Sequence, residues 1–218
     1  NRAIRSSRAA SAVARSMGLP WLVRRVAYSA SLRAGVFRRR LPATAWEQVP
    51  LASLVADRDL ADPARLATHR AAMAERFFVR PDLRASYADR LRAFDGRSEA
   101  VVAAADRIVD GVWTWFSGAE VRVGAEPAWT TNPFTGTRIP ADAHWSTIGD
   151  FGSGDIKVVW EPSRFAMAHT LVRAYWRTGD ERYPACFWSL VESWRRGNPP
   201  QQGPNWKCGQ ETTFRVMA

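Results

Sequence analysis

From Asp62 onward, apolar residues recur every three or four positions, and proline and glycine cut the runs into lengths of a few turns. That period restricts this part of the chain to packed helices. Asp62 and Pro63, an N-cap followed by proline at the first helical position, open a helix with Leu66, Met73 and Phe77 on one face. Pro81 and Asp82 restart the period with Leu83, Tyr87, Leu91 and Phe94. Ser98 caps a longer run in which Val101, Val102, Ala105, Ile108, Val109, Val112, Trp115 and Phe116 make a wide apolar stripe. EVRVG then alternates sides like a strand, a short β segment near 119–125, and residues 125–154 show no period. A loop that long inside a domain is usually functional.

Helices return as a pair. EPSRFAMAHTLVRAYWRTGD puts Phe165, Ala168, Val172 and Tyr175 on one face, with Glu161 and Arg164 at its start and Gly179 as its stop. The next run carries Phe187, Leu190, Val191 and Trp194 and ends at Gly197, Pro199 and Pro200. The short link between the two predicts antiparallel neighbours. The loop NPPQQGPNWKCG leads to a last helix, starting at about Gln210 and still helical in pattern at Ala218. The fold expected is all-α, assembled from helical hairpins as an α/α barrel is, with one short β segment.

Composition bounds the partners. With 218 residues, 46% of them hydrophobic, and eleven tryptophans, there is ample material for a core. No run of about eighteen apolar residues and no signal-peptide pattern is visible, which predicts a soluble chain. The net charge of +10 is concentrated at one end: residues 1–40 hold ten Arg and no acid, and the rest of the chain is balanced. Residues 17–60 read as a basic amphipathic helix, with Leu22, Val26, Leu32 and Val36 among arginines, followed by an extended connector; residues 1–16 are given no structure. Such a leader can touch anionic polymer or a membrane surface through residues 1–40. It also fits a bias towards Arg, since all but two of the thirty-one bases are Arg. No nucleic-acid motif is present, so nucleic acid is not an expected partner.

Cys186 and Cys208 read as two idle thiols, and no histidine stands at zinc spacing, so no metal and no cofactor are expected. Three stretches set polar side chains among aromatics: 142–164, 195–206 and 209–215. Trp rings beside fixed carboxylates, amides and guanidinium groups make a sugar-binding lining, although each Trp taken singly is more often core. Glu161 with Arg164, and Glu211 with Arg215, stand three and four apart and are expected to pair within their own helices. Each pair is either a strut or an arginine aimed at a substrate carboxylate. His144, beside Trp145, is the one histidine expected in an open setting and is a candidate acid, base or sugar contact. His169 reads as a core histidine and His69 as helix surface.

The runs DIKVVWEPSRF, LVRAYWRTGDERY and WRRGNPPQQGPNWKCGQETTFR resemble the N-terminal toroid region of the heparinase II/III-like polysaccharide lyases, which include alginate and oligoalginate lyases. The resemblance is carried by W-E-x-x-R, N-P-P and N-W-x-x-x-Q-E-x-x-x-R, strongest over residues 150–218. It implies an incomplete (α/α) toroid over residues 61–218, followed in a longer parent chain by antiparallel β-sheet layers. The activity implied is β-elimination on a uronate: a carboxylate neutralised by Asn, His or Arg, a His or Tyr removing the C5 proton, and a Tyr protonating the leaving oxygen. Neutralising the carboxylate is the demanding part, because that proton is weakly acidic.

The family's Asn-His pair is absent from these 218 residues. The catalytic residues therefore stay unknown, and the fragment alone is expected to be inactive. Glu161, Arg164, Asn205, Trp206, Gln210, Glu211 and Arg215 carry over as cleft-wall or scaffold positions. The partner implied is acidic polysaccharide, the source bacterial, and the location periplasmic by resemblance or cytoplasmic for want of a visible signal. A non-catalytic helical domain binding acidic polysaccharide or a protein is the alternative. A hydrolytic barrel using Glu161 and Glu211 as its two carboxylates is a third reading.

Overall fold

The protein is described by a computed structural model over residues 16–76, 80–94, 98–152 and 154–218. Residues 1–15 and Phe77, on which expectations were placed above, lie outside the described residues. The chain divides at Ala43 into two compact units.

The first unit contains α1 (Leu19–Arg33) and α2 (Val36–Arg40). Pro20 stands in the first turn of α1, where a missing N–H costs nothing. The chain turns at Gly35, whose φ of 69° suits glycine, and the Tyr28 ring meets that of Phe37 at 5.5 Å. No residue of either helix is buried.

The second unit starts with three short 3₁₀ turns, Trp46–Gln48, Leu51–Ser53 and Arg58–Ala61, where an extended connector is expected from the sequence. Next come α3 (Pro63–Met73), capped by Asp62 accepting from the Arg65 N–H as its sequence predicts, then α4 (Arg84–Phe94) and α5 (Ser98–Val109). The long apolar stripe from Ser98 does not stay helical to Phe116. Gly111 ends it at φ 73°, and Val112–Trp115 becomes strand β1, paired antiparallel with β2 (Ala119–Arg122). The Gly111 carbonyl accepts from the N–H of Val123 and of Gly124, and a Cβ at Gly111 would lie 2.7 Å from the Gly124 backbone. Only glycine fits that crossing.

The expected hairpin forms α7 (Met167–Thr178) and α8 (Arg182–Gly197). Tyr175 near the end of α7 bonds Glu181 just before α8, while Phe165 ahead of α7 meets Phe187 and Trp194 further along α8, so the two run antiparallel. Gly179, at φ 73°, closes α7 as predicted. With α5 and the β-hairpin these helices enclose the core: Ala105 and Ile108, Trp113, Trp115 and Val121, Trp129, Leu171, Ala174, Tyr183, Leu190 and Trp194 are all buried. The buried face of α7 is Met167, Ala168, Leu171 and Ala174, with Val172 exposed, a rotation away from the face expected. The architecture is mostly helical with one small two-stranded sheet, as the all-α expectation has it.

The rotation has a local cause. The segment predicted as one helix from Glu161 is two: α6 (Lys157–Ser163) and α7, broken at Arg164 and Phe165. Phe165 holds φ at 57°, unusual for a non-glycine residue. It is kept there by its ring, stacked on Trp129 at 5.7 Å and set edge-on to Phe187 and Trp194. Glu161 and Arg164 thus sit at a helix end, not a helix start.

Candidate functional site

The break after α6 turns Arg164 outward from its own helix, into reach of α9 (Gly209–Met217), whose third residue is Glu211. Arg164 Nε and Nη2 donate to the two Glu211 oxygens at 2.6 and 2.8 Å, while Nη1 donates to Glu161 Oε2. The Glu211 side chain is 5% exposed, and its charge also suits the first turn of a helix. The hydrogen bonds from Arg164 to Glu211 raise the arginine's pKa above its ordinary value. Glu161 uses its other oxygen to accept the Phe116 N–H at 3.3 Å, tying α6 to the β-hairpin. The Glu161–Arg164 pair expected from sequence is made. The Glu211–Arg215 pair is not, because Glu211 is taken by Arg164 across forty-seven positions of chain.

Arg215 is held differently. Its Nη1 donates to the Ser163 carbonyl at 3.0 Å, and its Nη2 to the Asn205 carbonyl at 2.8 Å and more weakly to Thr212 Oγ1. The guanidinium carbon stands 4.4 Å from the Trp194 ring centroid. Burial pushes its pKa down to about 10, with Glu211 acting the other way, so it stays charged at neutral pH. All its hydrogen-bond acceptors among the described residues are neutral, and Nε has none.

Asn205 is fully buried in the turn Pro204–Trp206. Its Nδ2 donates to the Trp129 carbonyl and to Asn198 Oδ1, and Oδ1 has no partner. It is scaffold, with its backbone carbonyl serving Arg215. Asn198, of the N-P-P stretch, closes α8 by donating to the Trp194 carbonyl and accepts from Trp206 Nε1. Gln210 is exposed in the first turn of α9.

Beside this charged knot lies an apolar groove of about 260 Å³, lined by Trp46, Phe165, Phe187, Trp194, Trp206 and Arg215 among others. Trp46, Trp194 and Trp206 form a triangle with ring centroids 5.6 to 6.4 Å apart. Trp46 comes from the first 3₁₀ turn of the unit and is pinned by its Nε1 donating to the Arg195 carbonyl at 2.9 Å. Sequence reasoning missed it; the one signal was a tryptophan alone in a connector bracketed by Pro42 and Pro50. Three other tryptophans fasten the loops: Trp129 to Ser193, Trp145 to Gln201 and Trp160 to the Pro204 carbonyl.

His144 is not in the open setting expected for it. It is 8% exposed, caps the turn Trp145–Thr147 through Nδ1, and pairs by its backbone with Gln202. His169 is exposed, not core. Asp155 accepts from the Lys157 N–H at 3.0 Å, a structural role. Cys186 and Cys208 are both free thiols.

The site as built has a neutral charge balance, Glu161 and Glu211 against Arg164 and Arg215, with one cation spent on carboxylates and one left facing aromatic surface. It can hold a flat apolar face next to a single anionic group. No family model, no curated protein and no solved structure matches the chain.

Proposed function

We propose that this chain supplies the binding wall of a lyase that cleaves uronate-containing polysaccharide by β-elimination, with Arg215 as the residue that meets the sugar carboxylate. The observation that carries the reading is Arg215 itself. A desolvated guanidinium, charged at neutral pH, lies against an indole face at a tryptophan-lined groove with no carboxylate bonded to it. A ligand carboxylate is the partner such a group lacks. The groove's indoles present the flat apolar surface on which a sugar ring packs. Arg164 has the opposite role: its three nitrogens are occupied by Glu161 and Glu211, so it braces the wall. The resemblance of W-E-x-x-R and N-W-x-x-x-Q-E-x-x-x-R to the heparinase II/III-like lyases supports the same reading, since both runs meet in this knot.

In β-elimination, a positive charge on the uronate carboxylate stabilises the carbanion formed when the C5 proton leaves. Arg215 supplies that charge. We assign no proton-transfer residue here. The groove lining contains no His, Tyr or carboxylate side chain. That favours, as the second reading, a domain that binds acidic polysaccharide without turning it over.

The test is titration calorimetry of this chain with uronate oligosaccharides, alongside ultraviolet absorbance for the unsaturated uronate product when the longer protein that contains it acts on alginate, a glycosaminoglycan and a bacterial exopolysaccharide. Binding together with new absorbance supports the lyase. Binding without product, abolished by Arg215→Ala, selects the second reading. Absence of both binding and product rejects the site.

A further inference from the structure

We propose that α1 lies on an anionic lipid surface, with its aliphatic stripe in the headgroup boundary and the arginines of the first unit against the lipid charges. This stands independently of the sugar-binding reading.

Leu19, Val23, Val26 and Ala30 follow at spacings of four, three and four, one continuous stripe along α1. All four are exposed; Leu19, Val23 and Val26 retain 66, 59 and 61% of their surface. Trp21, Tyr28 and Leu32 point to the opposite side, where Tyr28 meets Phe37 of α2. That side is met by α2 at Tyr28, while the other offers the more exposed aliphatic surface to the surroundings.

Charge identifies the occupant. Arg24, Arg25, Arg33, Arg38, Arg39 and Arg40 belong to this unit, and no acid is found anywhere in residues 1–40. A protein partner matching that charge would have to be strongly acidic and apolar at once, and nucleic acid would use the arginines but leave the stripe in water. An anionic bilayer surface takes both: headgroups meet guanidinium groups, and valine and leucine enter the acyl boundary. Arginine stems reach past an apolar face, so charge and stripe need not lie on opposite sides. Among the described residues no helix is long and apolar enough to cross a membrane, so the mode is surface binding.

The experiment is co-sedimentation of the 218-residue chain with vesicles of phosphatidylcholine alone and of equal parts phosphatidylcholine and phosphatidylserine. Expected is sedimentation with the anionic vesicles only. The pair Arg38→Glu and Arg39→Glu should lower the partition coefficient at least fivefold per residue, on the order of the change for one basic side chain. Val23→Ser with Val26→Ser should lower it about tenfold. Since α1 buries no residue, these changes leave the second unit folded, which its unchanged denaturation midpoint would verify. No sedimentation with either vesicle overturns the proposal. So does sedimentation that the serine pair leaves unchanged, which is charge attraction without insertion. Retention by duplex DNA but not by vesicles assigns the arginines to nucleic acid. A dimer by light scattering that the serine pair dissociates, with no vesicle binding, assigns the stripe to a second copy.

Discussion

Two arginines, three and four positions after a glutamate, look interchangeable in sequence, and their surroundings give them different work. Arg164 is enclosed by two carboxylates, so its guanidinium is a strut; removing Glu211 takes away its two-point partner and leaves Glu161 alone to hold it. Glu211→Ala should cost about 3 kcal/mol in denaturant unfolding, at the low end for a buried pair because Arg164 keeps 26% of its surface. Replacing the whole triad together, Glu161→Gln, Arg164→Met and Glu211→Leu, should recover most of that loss, since apolar side chains of similar volume often do as well and Gln keeps the bond to the Phe116 N–H. Arg215 is bonded only to neutral oxygens, and its loss should appear in binding. Arg215→Ala should weaken uronate affinity by about tenfold to a hundredfold, the range for one hydrogen bond to a charged group, with Arg215→Lys recovering part of it. The residues of this knot and the Glu161–Arg164 pair were legible from the motif spacing, but the partner of Glu211 was not. A four-residue separation predicts Glu211 with Arg215 on one helix face. What overrides it is a long-range approach created by the break at Phe165, which no local pattern contains.

The same break decides what could be read at the scale of elements. Helices α3, α7 and α8 were announced by their caps and stops: Asp62 and Pro63, Gly179, and Gly197 with its prolines. Two boundaries were hidden because the apolar period runs through them. Val109, Val112, Trp115 and Phe116 fit a helical stripe, yet VWTW also alternates, and Trp113 and Trp115 are buried while Thr114 is exposed. Gly111 was the available signal, a C-terminal glycine placed where the stripe still looked unfinished. Gly111→Ala should lower stability by about 3 kcal/mol, because it combines a left-handed φ with a methyl group pressed on the Gly124 backbone, and neither neighbour has a flexible side chain to move. The measurement is the chemical denaturation midpoint, and the control is Gly118→Ala, where a Cβ meets nothing within 4 Å. At Phe165 the strain is held by aromatic packing, so Phe165→Ala should lose about 3–5 kcal/mol despite its easier backbone.

For the molecule as a whole, composition indicated enough apolar material for a core and the apolar period indicated helices, but neither showed how the loops are held. Residues 125–154 have no period, and the described ones are held by side-chain anchors such as Trp129 on Ser193, along with buried Ile139 against Ile156 and Val159. The stability of this assembly should vary with alkaline pH in a way that two groups set against each other. Tyr183 is buried and donates to Asp106 Oδ1 at 3.0 Å; desolvation first, and then that carboxylate, raise its pKa above the ordinary 10.0. Its stabilisation is fully present below pH 10.0 and is lost above it, as the unfolded chain ionises while the folded chain holds its proton. Arg215 acts in the other direction: burial lowers its pKa from the ordinary arginine value to about 10, so the penalty for its buried charge is relieved as pH rises above about 10. Wild-type stability should therefore change little just above pH 10.0 from these two groups together. Tyr183→Phe removes the falling contribution and leaves the rising one. At neutral pH the variant should be less stable by about 1–2 kcal/mol for the lost hydrogen bond, and the gap should close as pH rises past 10.0. Urea unfolding of both proteins across that range measures it, and a gap that stays constant or widens would show that the Tyr183 proton is not linked to folding in this way.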